Sequence, residues 1–353
     1  MNPEQLLDNC ITQVLSQGAS DLHFSVGVPP MVRVSSMMTP LLTIQPLTND
    51  DIKGVLTIIL TPSRMQKFLD TQEVDFSYAH KAAGRFRGNA YVERGRLAIA
   101  LRLIPQVIRT VAELNLPPAL EGVALRKQGF FLVVGPVGQG KTTTLAALIE
   151  KINMERTEHI VTIEDPIEHL FENKKSLINQ REVHIDTGTF EAALESVFRE
   201  DVDVLMIGEM RTPETIATAV TAAETGHMVY STLHTNNASQ TIDRIIDSFP
   251  GSQQDQIRVQ LAGSLAGIFS QRLIPRISGG LIPAYELLIN NNAVSNLIRE
   301  KRTHEIDSVI ETSSQEGMID MNRCLADMVR AGEITVESAY SRSWNPKTLE
   351  RLL

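Results

Sequence analysis

Apolar residues recur at helical spacing near the amino end of the chain. Leu6, Leu7, Cys10, Ile11, Val14 and Leu15 predict an amphipathic helix, and Gly18 stops it. Short alternating stretches follow, Met31–Val34 and residues 86–103, the second punctuated by Gly95 as a β-hairpin. Residues 1–104 therefore read as a mixed α+β domain. Residues 105–118 carry three prolines and no long periodic run, so they are expected to be a linker. From residue 119 the pattern changes to strand, loop and helix in alternation. Residues 130–134 form a continuous apolar run, as in a parallel strand buried on both faces. A helix with Leu145, Leu148, Ile149 and Ile152 on one face follows, then short apolar runs at 160–163, Val204–Ile207 and Met228–Leu233. Between the last two, Thr212 and Pro213 read as the N-cap and first turn of a helix carrying Ile216, Ala219, Val220 and Ala223, closed by Gly226. Alternating β and α units imply a doubly wound α/β sheet with its site at the strands' carboxyl ends. The last hundred or so residues are expected to be mainly helical.

Composition narrows this only slightly. A chain of 353 residues, 42% hydrophobic and 21% charged, is ordinary for two globular domains and unlike a disordered or fibrous protein. No apolar run approaches the ~18 residues of a spanning helix, and the N-terminus lacks a signal peptide's basic and apolar regions. Cys10 and Cys324 are the only cysteines, which removes disulfide frameworks and Cys-type zinc sites and fits a reducing cytosol. A net charge of −9 argues against a nucleic-acid footprint over the whole surface. Charge is unevenly divided, however. Residues 1–110 hold 11 Lys/Arg against 9 Asp/Glu, and the stretch 81–102 holds Lys81, Arg85, Arg87, Arg94, Arg96 and Arg102 against Glu93 alone.

The strongest chemical signal is the run Gly135, Pro136, Val137, Gly138, Gln139, Gly140, Lys141 and Thr142, with Thr143 behind it. It matches GxxxxGK[ST] between a buried strand and an amphipathic helix. The glycines let backbone N–H groups curl around phosphates at a helix N-terminus, where the helix dipole also favours anions. Lys141 supplies a charge to the β- and γ-phosphates, and the Thr142 hydroxyl can ligate Mg²⁺. A nucleoside triphosphate is therefore the expected ligand. Acids stand after two later strands, Glu164 after 160–163 and Glu209 after Val204–Ile207. Hydrolysis needs one carboxylate for the metal or its water and one to orient the attacking water. His227 and His234 bracket Met228–Leu233; His234 at the carboxyl end can approach a γ-phosphate, and neither histidine has metal-ligand spacing.

Four boxes in order, the P-loop, IEDPIEH at 163–169, VLMIGEMR at 204–211 and GHMVYSTLHTNNA at 226–238, resemble the Walker A, Asp, Walker B and His boxes of the secretion-superfamily hexameric ATPases. Within these the chain most resembles the type IV pilus retraction ATPases, the PilT family. Residues 18–23 with Gly27, Pro29, Pro30 and Arg33 look like that family's N-terminal domain, and residues 296–300 with 303–306 are similar to its C-terminal signature. Departures are Gln139 and Thr142 where serine is commoner, Val202 for a proline, Thr212 for an acid and Ser295 for an arginine.

The resemblance implies a PAS-like N-terminal α+β domain, then a RecA-like P-loop ATPase domain from residue 119 with a helical C-terminal part. It implies ATP and Mg²⁺ as cofactors, Glu164 as general base, Glu209 with Thr142 at the metal, and His234 in a nucleotide-sensing box. Arg87 and Arg102 match family arginines that reach a neighbouring subunit's nucleotide. The implied assembly is a cytoplasmic homo-hexamer at the inner face of the cytoplasmic membrane. It would act on an inner-membrane pilus platform protein and through it on the pilus, with no nucleic acid. Pilus assembly and type II secretion ATPases are the alternative, but these usually carry a longer N-terminal region and often a Cys-rich metal insertion. A nucleic-acid translocase fits the overall acidity less well.

Overall fold

The computed structural model describes residues 2–34, 37–81, 84–104 and 107–353. They divide into two compact units, Met1–Val107 and Ile108–Leu353. The division falls inside the expected linker, of which Pro105 and Gln106 lie outside the described residues. The rest of that stretch is not free chain: Val111 and Leu116 are buried in the core of the second unit. Pro117 and Pro118 there introduce a helix, since proline suits a helix start as well as a linker.

In the first unit, α1 (Pro3–Ser16) begins where Asn2 Oδ1 accepts from Glu4 N at 3.1 Å. It buries Leu6, Leu7, Cys10, Ile11 and Val14, whereas Leu15 falls off the apolar face and is 41% exposed. The following elements are β1 (Asp21–Ser25), β2 (Met31–Val34), β3 (Met37–Pro40), α2 (Asn49–Ile59), α3 (Pro62–Thr71), β4 (Glu73–His80), β5 (Gly84–Glu93) and β6 (Arg96–Leu103). The strands form one antiparallel sheet in the order β3-β2-β1-β6-β5-β4. Arg94 and Gly95, both at positive φ, make the β5–β6 turn that Gly95 predicts. Register places Arg33, Asp21, Arg102 and Arg87 side by side across β2, β1, β6 and β5.

The second unit runs α4 (Ala119–Ala124), β7 (Gly129–Val134), α5 (Lys141–Glu155), β8 (His159–Glu164), β9 (Leu177–Glu182), α6 (Phe190–Val197), β10 (Val204–Ile207), α7 (Pro213–Glu224), β11 (Met228–Leu233), α8 (Ala238–Asp247) and α9 (Gly251–Ser264). Then come β12 (Leu265–Pro275), β13 (Leu281–Ile289), α10 (Asn292–Arg299), α11 (Ile306–Thr312), α12 (Met321–Arg330), α13 (Val336–Arg342) and α14 (Pro346–Leu352). The sheet order is β13-β12-β7-β11-β10-β8-β9, parallel except for β13. Alternation along each strand feeds two cores. Phe130, Leu132 and Val134 pack with the α6–α11 side, Phe131 and Val133 with α4 and α5. Thr212 caps α7, its Oγ1 accepting from Thr215 N at 3.2 Å.

The last hundred residues are mainly helical, as expected, but they include an unforeseen long β-hairpin at 265–289 that lays β12 against the phosphate-loop strand β7. Its apolar residues are nearly continuous, so a helical period and a buried strand are hard to separate there. The fit is tight at Gly267, where a Cβ would sit 2.5 Å from the Leu288 carbonyl and 3.1 Å from the Phe131 ring. Gly267→Ala should therefore destabilise this unit by about 1–3 kcal/mol through overpacking. Gly263→Ala in α9, where a Cβ meets nothing within 4 Å, should leave it unchanged or stabilise it by about 0.5–1 kcal/mol. Urea unfolding of the two variants checks the opposite signs.

Candidate active site

Parallel pairing of β7, β11, β10 and β8 brings their carboxyl ends to one edge of the sheet, so all four sequence boxes emerge together. The P-loop leaves β7 with Gly135, Gly138 and Gly140 all at positive φ. Gly135 is also required by space: a Cβ would lie 2.6 Å from the carbonyl oxygen of Gln271 on β12. Pro136, Gln139 and Gly140 are half-buried, while Val137 and Gly138 form the exposed tip. Thr142 and Thr143, half-buried, open α5 just behind the loop, where the helix N-terminus presents its free N–H groups.

Lys141 is buried, and its ammonium donates to Gly135 O at 2.9 Å and Pro136 O at 3.0 Å. Its third contact is His234 Nδ1, at 3.3 Å. An ammonium can only donate, so that nitrogen accepts and His234 is neutral. Burial and then the charge of Lys141 push the His234 pKa down, in agreement. Burial also lowers the Lys141 pKa, opposed by Glu168 and Glu209. On its other side His234 Nε2 lies 3.9 Å from Glu209 Oε2, and Glu209 pairs through its second oxygen with Arg211. Lys141, His234 and Glu209 thus form one continuous polar chain.

Glu164 ends β8 and is buried. Its carboxylate accepts from Thr162 Oγ1 at 2.7 Å, Gln180 Nε2 at 3.3 Å and Glu168 N at 3.3 Å. Burial outweighs these bonds and raises its pKa from 4.5 to about 7. A carboxylate poised near neutrality on the same sheet edge as a lysine-bearing anion loop suits proton abstraction from water.

Two contributors escape the sequence reading. Gln271, 3% exposed, donates through Nε2 to Gln139 O at 2.7 Å and accepts from Thr144 Oγ1 at 2.6 Å, so β12 clasps the P-loop. A cavity of about 420 Å³ opens beside Gly140 and Thr143, lined by Leu114, Leu116, Leu273 and Pro283. Arg109, Glu113 and Asn115 line it as well, and this mixed apolar and polar lining has room for a nucleobase. The only advance signal for either is the Gly279–Gly280 pair that turns the β12–β13 hairpin. Arg87 and Arg102 belong to the first unit. There Arg102 Nε donates to Asp21 Oδ1 at 2.8 Å, and Arg87 is exposed on the neighbouring strand.

Among the described residues no cluster of three or more His, Cys, Asp or Glu side chains could hold a metal by itself. The oxygen donors present, the Thr142 hydroxyl and the Glu209 carboxylate, fit a hard divalent cation that takes its other ligands from phosphate and water.

Comparison with known proteins agrees with this geometry. Residues 98–281 match the family model described as type II/IV secretion system protein. The chain is 41% identical over 341 residues to the type IV pilus retraction ATPase PilT of Pseudomonas aeruginosa, covering 96% of this chain and 99% of that protein. It is 42% identical over 321 residues to a twitching motility protein of Neisseria gonorrhoeae, covering 91% and 86%. A crystal structure of the pilus retraction motor PilT with bound ADP superposes with a TM-score of 0.91 at 45% identity, over 97% of this chain and 98% of that one.

The raised pKa of Glu164 sets two pH effects of opposite sign. A base must be ionised, so kcat/KM for nucleotide hydrolysis should rise as pH increases through about 7. A folded pKa above the unfolded 4.5 contributes stability below pH 4.5 that is lost as pH climbs through about 7. Glu164→Gln should abolish the stability difference and slow turnover at least ~100-fold while nucleotide still binds. Paired pH profiles of rate and thermal midpoint, wild type against variant, measure both; a wild-type rate in the variant would remove Glu164 from the base role.

Proposed function

The chain belongs to the type II/IV secretion system protein family and, within it, to the type IV pilus retraction ATPases, and from that premise we propose that it hydrolyses ATP to withdraw a pilus. The observation that carries the reading is an intact P-loop, Asp box, Walker B and His box along one sheet edge, in a chain that aligns with 99% of a retraction ATPase. Lys141 and the loop N–H groups bind the phosphates, and the cavity beside Gly140 takes the base. Thr142 and Glu209 would hold Mg²⁺, which would supply charge neutralisation at the phosphates. Glu164 accepts the proton of the attacking water. His234, which accepts from the Lys141 ammonium, is the group that reports a change at Lys141.

Arg87 and Arg102 act across subunits in a homo-hexamer, each ring position pairing one chain's phosphates with another chain's arginines. Among the described residues no helix is long and apolar enough to cross a membrane. Association with the cytoplasmic membrane's inner face runs through an inner-membrane pilus platform protein on which the ring acts. The C-terminal signature 296–300 lies on and just after α10, where Ile298 is buried and Asn296, Arg299 and Glu300 are exposed. Ser295, where the family has arginine, turns inward and donates to Ala262 O at 2.9 Å. The exposed charges, not Ile298, are thus the side chains a partner meets.

Two experiments test the reading. Lys141→Ala and Arg102→Ala are each expected to be inactive, and rings assembled from both should regain part of the activity wherever an intact P-loop faces an intact arginine. Co-assembled rings that stay inactive would place Arg102 in cis. Deleting the gene should leave cells piliated but unable to withdraw pili or spread by twitching, and Arg299→Glu should impair withdrawal more than hydrolysis. Bald cells after deletion would make the protein an assembly ATPase.

A further inference from the structure

We propose that Arg272 is a positioning residue for hydrolysis, locking the loop behind His234 to the strand that clasps the P-loop. The inference rests on the ATPase reading and adds a residue that none of the four boxes contains. Gln271 and Arg272 are consecutive on β12 and both buried. Gln271 faces the P-loop through Gln139 O and Thr144 Oγ1. The Arg272 guanidinium turns the other way and forks: Nη1 donates to Gln271 O at 2.8 Å, and Nη2 donates to Asn236 O at 3.1 Å and Asn236 Oδ1 at 2.9 Å. Asn236 stands two residues after His234.

Geometry makes that fork a ruler between two loops. The Gln271 carbonyl that receives Nη1 is the same one against which Gly135 packs, and a Cβ on Gly135 would also lie 3.1 Å from Arg272 Nη1. One planar group therefore touches the first glycine of the P-loop and the far side of the histidine loop. The histidine loop is anchored again just beyond. Asn237 caps α8 by accepting from Gln240 N at 2.9 Å, and the buried Glu286 on β13 accepts from Ala238 N at 2.8 Å. The β12–β13 hairpin thus grips the loop at two points, Asn236 through Arg272 and Ser270 and Ala238 through Glu286. His234 meets Lys141 at 3.3 Å, a distance set by how far apart these two loops are held. The three hydrogen bonds of the Arg272 guanidinium all go to carbonyl or amide oxygens. A desolvated cation is an expensive brace where a neutral amide would reach, unless the two-armed geometry is what is needed.

Arg272→Lys keeps the charge and removes the fork, which separates the two. In the assembled protein, ATP turnover should fall ~10-fold or more, the scale for misplacing a reacting group. Affinity for a fluorescent ADP analogue should stay within about threefold, since the P-loop remains clasped by Gln271. Asn236→Ala, which removes the shorter of the two acceptors of the Nη2 arm and leaves the backbone carbonyl, should lower turnover in the same direction, and the double variant should be no worse than Arg272→Lys alone. Gln271→Leu should instead weaken ADP binding. Wild-type turnover in Arg272→Lys, an equal loss of binding and turnover, or additive effects in the double variant would overturn the proposal. Should Arg272→Lys fail to fold, Asn236→Ala carries the test, and unchanged turnover there overturns it. Absence of turnover in the wild type would instead sink the ATPase reading itself.

Discussion

Six residues of β7, Gly129–Val134, are buried on every side, hydrogen-bonded to β11 along one edge and β12 along the other. Burying a side chain such as Phe130 or Leu132 contributes about 1.5–3 kcal/mol, so several together outweigh any energy the adjoining loop can store. The P-loop therefore inherits its position from apolar packing on both faces of the sheet. Histidine and acid loops inherit theirs in the same way, since β11, β10 and β8 are parallel neighbours whose ends reach the same level. Chemistry is placed here by strands that do none of it.

Placing polar groups at that edge has an electrostatic consequence. Lys141, Glu164, Gln271 and Arg272 are all nearly inaccessible, so each must be satisfied by another protein group. They are, through backbone groups and the side chains of Thr144, Thr162, Gln180, His234 and Asn236, yet desolvation still moves the titratable ones toward neutrality. Glu164 is raised, while His234 and Lys141 are lowered. Charge brought in by phosphates acts on Lys141 in the opposite direction to burial. The site is thus poised so that its own protonation equilibria respond to the ligand, which a solvated site would screen away.

Much of this was legible in the sequence because the relevant signals are local. GxxxxGK[ST] between an apolar run and an amphipathic helix fixes a strand, a loop and a helix at once, and Thr212-Pro213 fixes a helix start. Residues 265–289 were not legible. A run such as Leu-Ala-Gly-Ile-Phe-Ser is apolar on both faces, so it lacks the period-two signature, and only contact with β7 makes it a strand. Gln271 and Arg272 went unseen for that reason: their roles exist only once β12 lies beside the P-loop, well over a hundred residues away in sequence. The linker failed differently. Proline was read as a breaker over 105–118, whereas Val111 and Leu116 are core residues and Pro117-Pro118 start α4. Helices α2 and α3 were likewise missed, although Thr48 and Asp51 form a capping box ahead of the buried Ile52, Val55, Leu56 and Ile59.

The basic stretch 81–102 acquires a physical meaning from register alone. Antiparallel pairing sets three guanidiniums, Arg33, Arg102 and Arg87, in a row with one carboxylate, Asp21. Asp21 is buried and takes Arg102 Nε at 2.8 Å, whereas the Arg102 side chain is 71% exposed. A pair with so exposed a partner contributes about 1 kcal/mol or less, and salt screens it further. Arg102 is therefore held in orientation without being held tightly. An anion carrying two or more charges offers it a stronger partner at little cost to the fold, because Arg33 Nε remains 3.7 Å from the Asp21 carboxylate. The same row explains why Asp21→Asn would not be silent: it would leave Arg102 and Arg87 on adjacent strands about 5 Å apart, and Arg33 on the far side of β1, with no acid among them.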